Sequence, residues 1–240
     1  MLDEHGDFSM ESLCHAILER HRDRIKVRKQ HLVVANLSRI VSSFLRLSNR
    51  KGFHATSLRE LAQESGLSMG GLYTYFDSKE TLLVMVLDEV ASSVREMLDE
   101  VPPAIAGDPH AHLMWIIDAH IRLTEAMQPW FVFAFMEAKA FPTGAKRAAV
   151  DSELVAERAL MQAIERGIAG GLFAIEAPQL LASLVKPLLQ DWYVKRSKYR
   201  KRNVDVATYI AMVQSMVTRT LAAPAAARGP ARVGMARQRS

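Results

Sequence analysis

Four local signals crowd into residues 57–78, and they constrain the fold more than any other feature of the chain. Ser57-Leu58-Arg59-Glu60 is a capping box: the hydroxyl can accept from an early backbone N–H while the carboxylate reaches back. Ser65-Gly66 is a helix stop, and Ser68 can cap a second short helix over 69–76. Asp77 or Ser78 then caps a third helix, with Leu82, Leu83, Val86, Leu87 and Val90 on one side. Helices this short and this closely capped cannot merge into one rod, and nothing here alternates like a strand. The spacing predicts two short helices joined by a glycine turn and locked by Leu58, Leu61, Leu67 and Leu72.

The remainder also has helical periodicity, which makes the expected fold all-α. Leu13, Ile17, Leu18 and Ile25 suggest a helical N-terminal extension over 9–25. Leu32, Val33, Leu37, Ile40, Val41, Phe44, Leu45 and Leu47 define a longer helix that ends at Lys51-Gly52, a cationic last turn before a glycine. Beyond Pro102-Pro103, Pro and Gly punctuation divides the chain into helices near 110–127, 129–141, 145–168, 177–201 and 204–222, with Pro187 expected to kink the fourth. The expected organisation is a basic extension at 1–30, a three-helix unit at 31–94, a helical domain at 95–222 and a basic tail at 223–240. Ala, Arg, Pro and Gly dominate that tail, a composition of disordered segments. No run approaches the ~18 apolar residues of a membrane span, so no membrane partner is expected. The single cysteine, Cys14, cannot form an internal disulfide, which favours a reducing, cytoplasmic setting.

The formal charge of +5 is unevenly placed. One basic run is Arg20, Arg22, Arg24, Lys26, Arg28 and Lys29. A second is Lys195, Arg196, Lys198, Arg200, Lys201 and Arg202, and Arg228, Arg232, Arg237 and Arg239 lie in the tail. Concentrated positive charge suits an anionic partner such as nucleic acid, although solvated helix faces would look the same. Residues 31–94 are formally neutral: Arg39, Arg46, Arg50, Lys51, Arg59 and Lys79 face Glu60, Glu64, Asp77, Glu80, Asp88 and Glu89. The first run would then supply phosphate affinity from outside that unit.

Two capped helices across a glycine turn are the helix-turn-helix pattern. The free N–H groups of the second helix favour phosphate, and small Gly70 and Gly71 allow close approach. The fuller string is more specific. Gly52-Phe53, Thr56-Ser57, Leu61-Ala62, Gly66-Leu67-Ser68, Gly71-Leu72-Tyr73, Tyr75-Phe76 and Ser78-Lys79-Glu80 resemble the DNA-binding domain of the TetR family of bacterial transcriptional regulators. The resemblance implies a homodimer on a palindromic double-stranded operator. Ser57 and Arg59 would lie near DNA, with Met69, Gly70, Gly71, Tyr73 and Thr74 in the groove and Tyr75 and Lys79 toward phosphates. Family members often carry Lys, Arg or Pro at Met69 and Thr or Ser at Gly71. The residues present here favour apolar contacts, for instance with thymine methyls, and leave Arg59 as the strongest base-contact candidate.

For the helical domain, the resemblance implies an effector pocket formed by Trp115, Met127, Trp130, Phe131, Phe135 and Met136, with plain core as the alternative. It also implies a dimer interface through Leu184, Leu188, Tyr209, Val213 and Met216. The effector would be small and largely apolar. An acyl-coenzyme A is one candidate, its anionic head group meeting the 195–202 run. His110, His112, Asp118 and His120 do not share one helix face at metal-ligand spacing, so no metal is expected. Gly170-Gly171 lacks a following Gly-Lys-Ser, and no nucleophile–base pairing is evident, so neither cofactor nor enzymatic activity is expected. The leading expectation is a ligand-responsive repressor. The alternative is a nonspecific nucleoid-associated or anionic-surface-binding protein acting through its basic segments.

Overall fold

The computed structural model describes residues 7–27 and 30–222; Arg28, Lys29 and the tail 223–240 lie outside the described residues. Among the described residues, twelve α-helices account for the regular structure apart from one short 3₁₀ turn. Helix α1 (Met10–Arg20) packs on α2 (Gln30–Lys51) and α5 (Lys79–Asp99). The short helices α3 (Leu58–Ser65) and α4 (Met69–Leu72) dock on the same unit. Helix α6 (Pro103–Ala106) leads into α7 (Pro109–Ala126), α8 (Gln128–Met136) and α9 (Thr143–Ala169). The chain then forms α10 (Pro178–Val194), α11 (Arg196–Lys201) and α12 (Val206–Leu221).

Two apolar cores result. One gathers α1, α2 and α5 around Phe44, Phe53 and Phe76, then continues into α8 through Phe133 and, past the 3₁₀ turn, to Phe141. The other holds Trp192, Leu189, Ile117 and Val213 between α7, α9, α10 and α12. Helix α5 extends past residue 94 and reaches α7, α8 and α9, so the N-terminal unit and the helical domain share it. The edge-to-face pair Phe44–Phe133, 5.1 Å between centroids, joins α2 to α8. Asn49 donates to the Pro129 carbonyl at 2.9 Å, and the Phe53 N–H donates to Glu137 at 2.7 Å.

Several expectations change in three dimensions. The N-terminal helix stops at Arg20, short of the expected residue 25, and Cys14 lies in the core. It is fully buried with Leu13, Ile17 and Leu18, and burial pushes its thiol up to about 12. The helix after the turn regularises only over 69–72 and then tightens. Tyr75 donates to the Leu72 carbonyl and the Thr74 hydroxyl to the Gly71 carbonyl, at 2.9 and 2.6 Å. Adjacent Gly70 and Gly71 are poor helix formers, which shortens the element. Helix α10 continues through Pro187, while the expected 177–201 helix breaks at Lys195. There Asp191 gathers the Lys195 and Lys198 ammonium groups and the Tyr199 hydroxyl, folding α11 back. No helix of the described residues is long and apolar enough to cross a membrane.

Candidate nucleic-acid interface and interior cavity

The capping box predicted at Ser57 is formed in full. Ser57 Oγ accepts from the Glu60 N–H at 3.2 Å, and the Ser57 N–H donates to the Glu60 carboxylate at 3.1 Å. Lys51, 2.5 Å away, and Ser57 hold that carboxyl at about 2. Helix α3 ends at Gly66 with φ +67°, a left-handed conformation that disfavours a side chain. A Cβ there would also lie 2.4 Å from the Arg39 guanidinium. Ser68 Oγ then accepts from the Gly71 N–H at 3.0 Å and caps α4. Leu61 and Leu72 are fully buried beneath the turn, so backbone geometry and packing fix the same angle.

This arrangement leaves one face open. Ser57, Arg59, Met69, Gly70 and Tyr73 are exposed, and Gly71 and Thr74 are half-buried beside them. Two residues expected on the DNA side face inward. Tyr75 is 2 % exposed, and its hydroxyl accepts from Asn36 at 3.0 Å, making it part of the core that supports α4. Lys79 reaches back to the carbonyls of Phe53, His54 and Thr56 at 2.9, 3.3 and 2.9 Å and stacks 4.4 Å over the Phe53 ring. Burial lowers its pKa. Its ammonium is thus satisfied within the protein as a clasp on the loop before α3. Lys79→Met should lower stability by about 2 kcal/mol, because charge-assisted hydrogen bonds to three backbone carbonyls are lost. That corresponds to a fall of roughly 4–8 °C in the melting midpoint. An unchanged midpoint with a shallower salt dependence of DNA binding would instead make Lys79 a phosphate ligand.

The N-terminal basic run divides in the fold. Arg20 turns inward to Glu89 and Glu96 of α5. Glu89 is almost fully buried, and desolvation raises its carboxyl to about 6 despite Arg20. Lys26 lies just past α4: its N–H donates to the Thr74 carbonyl at 2.9 Å, and its ammonium meets Asp77 at 3.2 Å. Arg22 and Arg24 are exposed on the connecting turn.

A cavity of about 420 Å³ opens between α5, α7, α8, α9 and α10. Of the residues expected around a pocket, Phe131, Phe135 and Met136 line it. Trp115, Met127 and Trp130 do not. Met127 and Trp130 fill the core behind, and Trp115 packs between the two cores, lining a separate, much smaller cleft. Periodicity identifies an apolar helix but not which side of it meets empty space. Leu87, Val90 and Val94 of α5 form the opposite wall. Sequence reasoning missed the polar residues here: His120 in its cavity role, Lys139, Glu153, Lys186 and Gln190. A lone charged residue, Lys186, within the stretch 180–189 was the available signal.

Among the residues expected at a dimer interface, Leu184 and Met216 are exposed and Leu188 is half-buried. Tyr209 and Val213 belong to the protomer's own core; Tyr209 donates to the Leu188 carbonyl at 2.7 Å. Exposed Leu180 and Met212 extend the outward apolar surface. Half of the 195–202 run is engaged internally: Arg196 binds Glu125 at 2.6 Å and lies 4.4 Å from the Trp192 ring, and Lys195 and Lys198 meet Asp191. Arg200, Lys201 and Arg202 are left exposed. The four residues weighed as metal ligands also separate. His110 meets Thr218 at 3.1 Å, Asp118 binds Arg122, and His120 faces the cavity. No cluster able to hold a metal occurs among the described residues.

Residues 40–86 match the family model for bacterial regulatory proteins of the TetR family. The chain is 24% identical over 184 residues to the HTH-type transcriptional regulator HbdR of Aromatoleum sp., covering 75% of this chain and 77% of that one. It is 32% identical over 103 residues to the transcriptional repressor KstR of Mycolicibacterium smegmatis, covering 40% and 50%. The fold superposes on FadR of Bacillus subtilis, solved in complex with stearoyl-CoA, with a TM-score of 0.59 at 14% identity over 76% of this chain and 97% of that one. The matched segment contains the whole capped helix-turn-helix and the first turns of α5. The chain therefore carries, over residues 40–86, the DNA-binding domain of the TetR family of bacterial regulatory proteins, and its fold is similar to that of regulators built on that domain.

Proposed function

We propose that the protein is a homodimeric repressor that leaves a palindromic operator when a small, largely apolar effector enters the interior cavity. One observation carries this reading: α5 starts at the Ser78 cap directly behind the recognition element and, three turns on, forms a wall of the cavity with Leu87, Val90 and Val94. A ligand that displaces this wall would move the recognition element with it. Helix α8 adds a second connection, lining the cavity through Phe131 and Phe135 and touching α2 through Phe133. Ligand binding would then favour a dimer whose two recognition elements no longer match successive major grooves. KstR is named a repressor, and FadR was solved with an acyl-coenzyme A, which makes such thioesters the first effector class to test.

On the DNA face, Arg59, Met69, Tyr73 and Thr74 would contact base edges and Ser57 the backbone. Genome-wide mapping of bound sites, followed by titration of a recovered palindrome, tests the proposal. The expected result is site preference retained against excess random DNA at physiological salt, with release on adding the effector. Equal competition by random DNA would support the nonspecific nucleoid reading.

A further inference from the structure

The cavity is lined chiefly by apolar residues, yet two ionisable side chains lie buried among them. Lys186 is 4 % exposed and His120 1 % exposed, and both line it. His120 Nδ1 is buried without a hydrogen-bond partner, a state costly enough that native proteins rarely leave it unrelieved. Desolvation, with the nearby Lys186 charge, holds His120 neutral, well below its usual titration range. Burial pushes the Lys186 ammonium down to about 8, against the pull of Glu153 and Glu157. Glu153 is itself engaged, accepting from Gln190 at 2.6 Å. Among the charged residues that line the cavity, two cations, Lys139 and Lys186, face one anion, Glu153. A wholly apolar effector would leave His120 Nδ1 unsatisfied and would gain nothing from the lysine.

We infer that the cavity takes an amphipathic carboxylic acid, its carboxylate held by Lys186 and His120 and its hydrocarbon body lying along Phe131, Phe135 and the α5 valines. Neutral His120 can donate through one ring nitrogen, and the ammonium supplies a charge-assisted bond. A cavity of about 420 Å³ suits the acid itself, and a thioester has no negative charge at the acyl end to offer. This inference rests on the effector reading above and narrows it to one ligand class. Straight-chain and aryl-substituted acids share the required chemistry.

The probes are decanoate and phenylbutyrate, each beside its methyl ester, together with decanoyl-coenzyme A. Binding is read as ligand-dependent elevation of the melting temperature and by calorimetry. At least one acid should bind the full-length protein roughly tenfold or more tightly than its ester, as loss of a charged hydrogen bond implies. Which acid prevails distinguishes a fatty from an aromatic source. Lys186→Met, similar in shape and free of a buried charge, should remain folded and lose the preference for acid over ester while still binding the ester. His120→Leu should reduce the preference. Equal binding of acid and ester by the natural protein, or a preference that survives Lys186→Met, overturns the inference. Binding of decanoyl-coenzyme A alone overturns it while leaving the effector reading intact. No response to any probe overturns the inference.

Discussion

Deleting residues 1–27 should unfold the DNA-binding half of the protein rather than merely weaken its electrostatic hold on DNA. Leu13, Ile17 and Leu18 of α1 are at most 5 % exposed, with Cys14 fully enclosed between them. Each such aliphatic side chain contributes about 1.5–3 kcal/mol by leaving water, and a whole domain retains only about 5–15 kcal/mol. The deletion also removes Arg20 from Glu89, leaving a buried carboxylate without its guanidinium. Arg20→Ala alone should cost about 2–3 kcal/mol, below the ~3–5 kcal/mol of a fully buried pair because Arg20 is partly solvated. Circular dichroism melts of the deletion should lack a cooperative native transition, and a melt at the natural midpoint would contradict the assignment. The electrostatic contribution is separable. Arg22→Ser with Arg24→Ser touches exposed residues only and should leave the melt unchanged. Each phosphate contact so lost should flatten the salt dependence of DNA binding by about 0.9 logarithmic units per decade of salt.

Placing charge on the outward apolar face should abolish tight operator binding without harming the protomer. Leu184 and Met216 are 62 % and 49 % exposed, so Leu184→Glu with Met216→Glu disturbs little inside one subunit. In an isologous two-fold interface each introduced carboxylate recurs on the partner, and burying four unpaired charges opposes association. Light scattering should report monomers. Operator affinity should fall by about 10²–10⁴-fold, the advantage of two linked half-site contacts over one. Val213→Ala provides the contrast: buried within the protomer, it should lower the melting temperature and leave the dimer in place. Dimers formed by the double variant would move the interface elsewhere.

The DNA-binding unit was readable in the chain because its signals are local. A capping box spans four residues, and Gly66 must adopt its positive φ wherever the surrounding fold lies. The tetrad 69–72 and its serine cap could be located, although the two glycines ended the helix sooner than apolar spacing suggested. The outward face of that unit was also largely legible. Tyr75 and Lys79 were exceptions, because their partners, Asn36 and the 53–56 loop carbonyls, are fixed by packing rather than spacing.

Helical content, the order of elements and the capped turn follow from short-range chemistry, and the sequence by itself determined them. Only the tertiary structure decided which charges are spent internally, as with Arg20 on Glu89 and Arg196 on Glu125. It also decided that Trp130 fills core while Phe131 borders a cavity, and that Lys186 stands beside His120. Periodicity identifies a helix's apolar side, but burial against a neighbour and burial around a void have the same period. The difference lies in how helices distant in sequence cross.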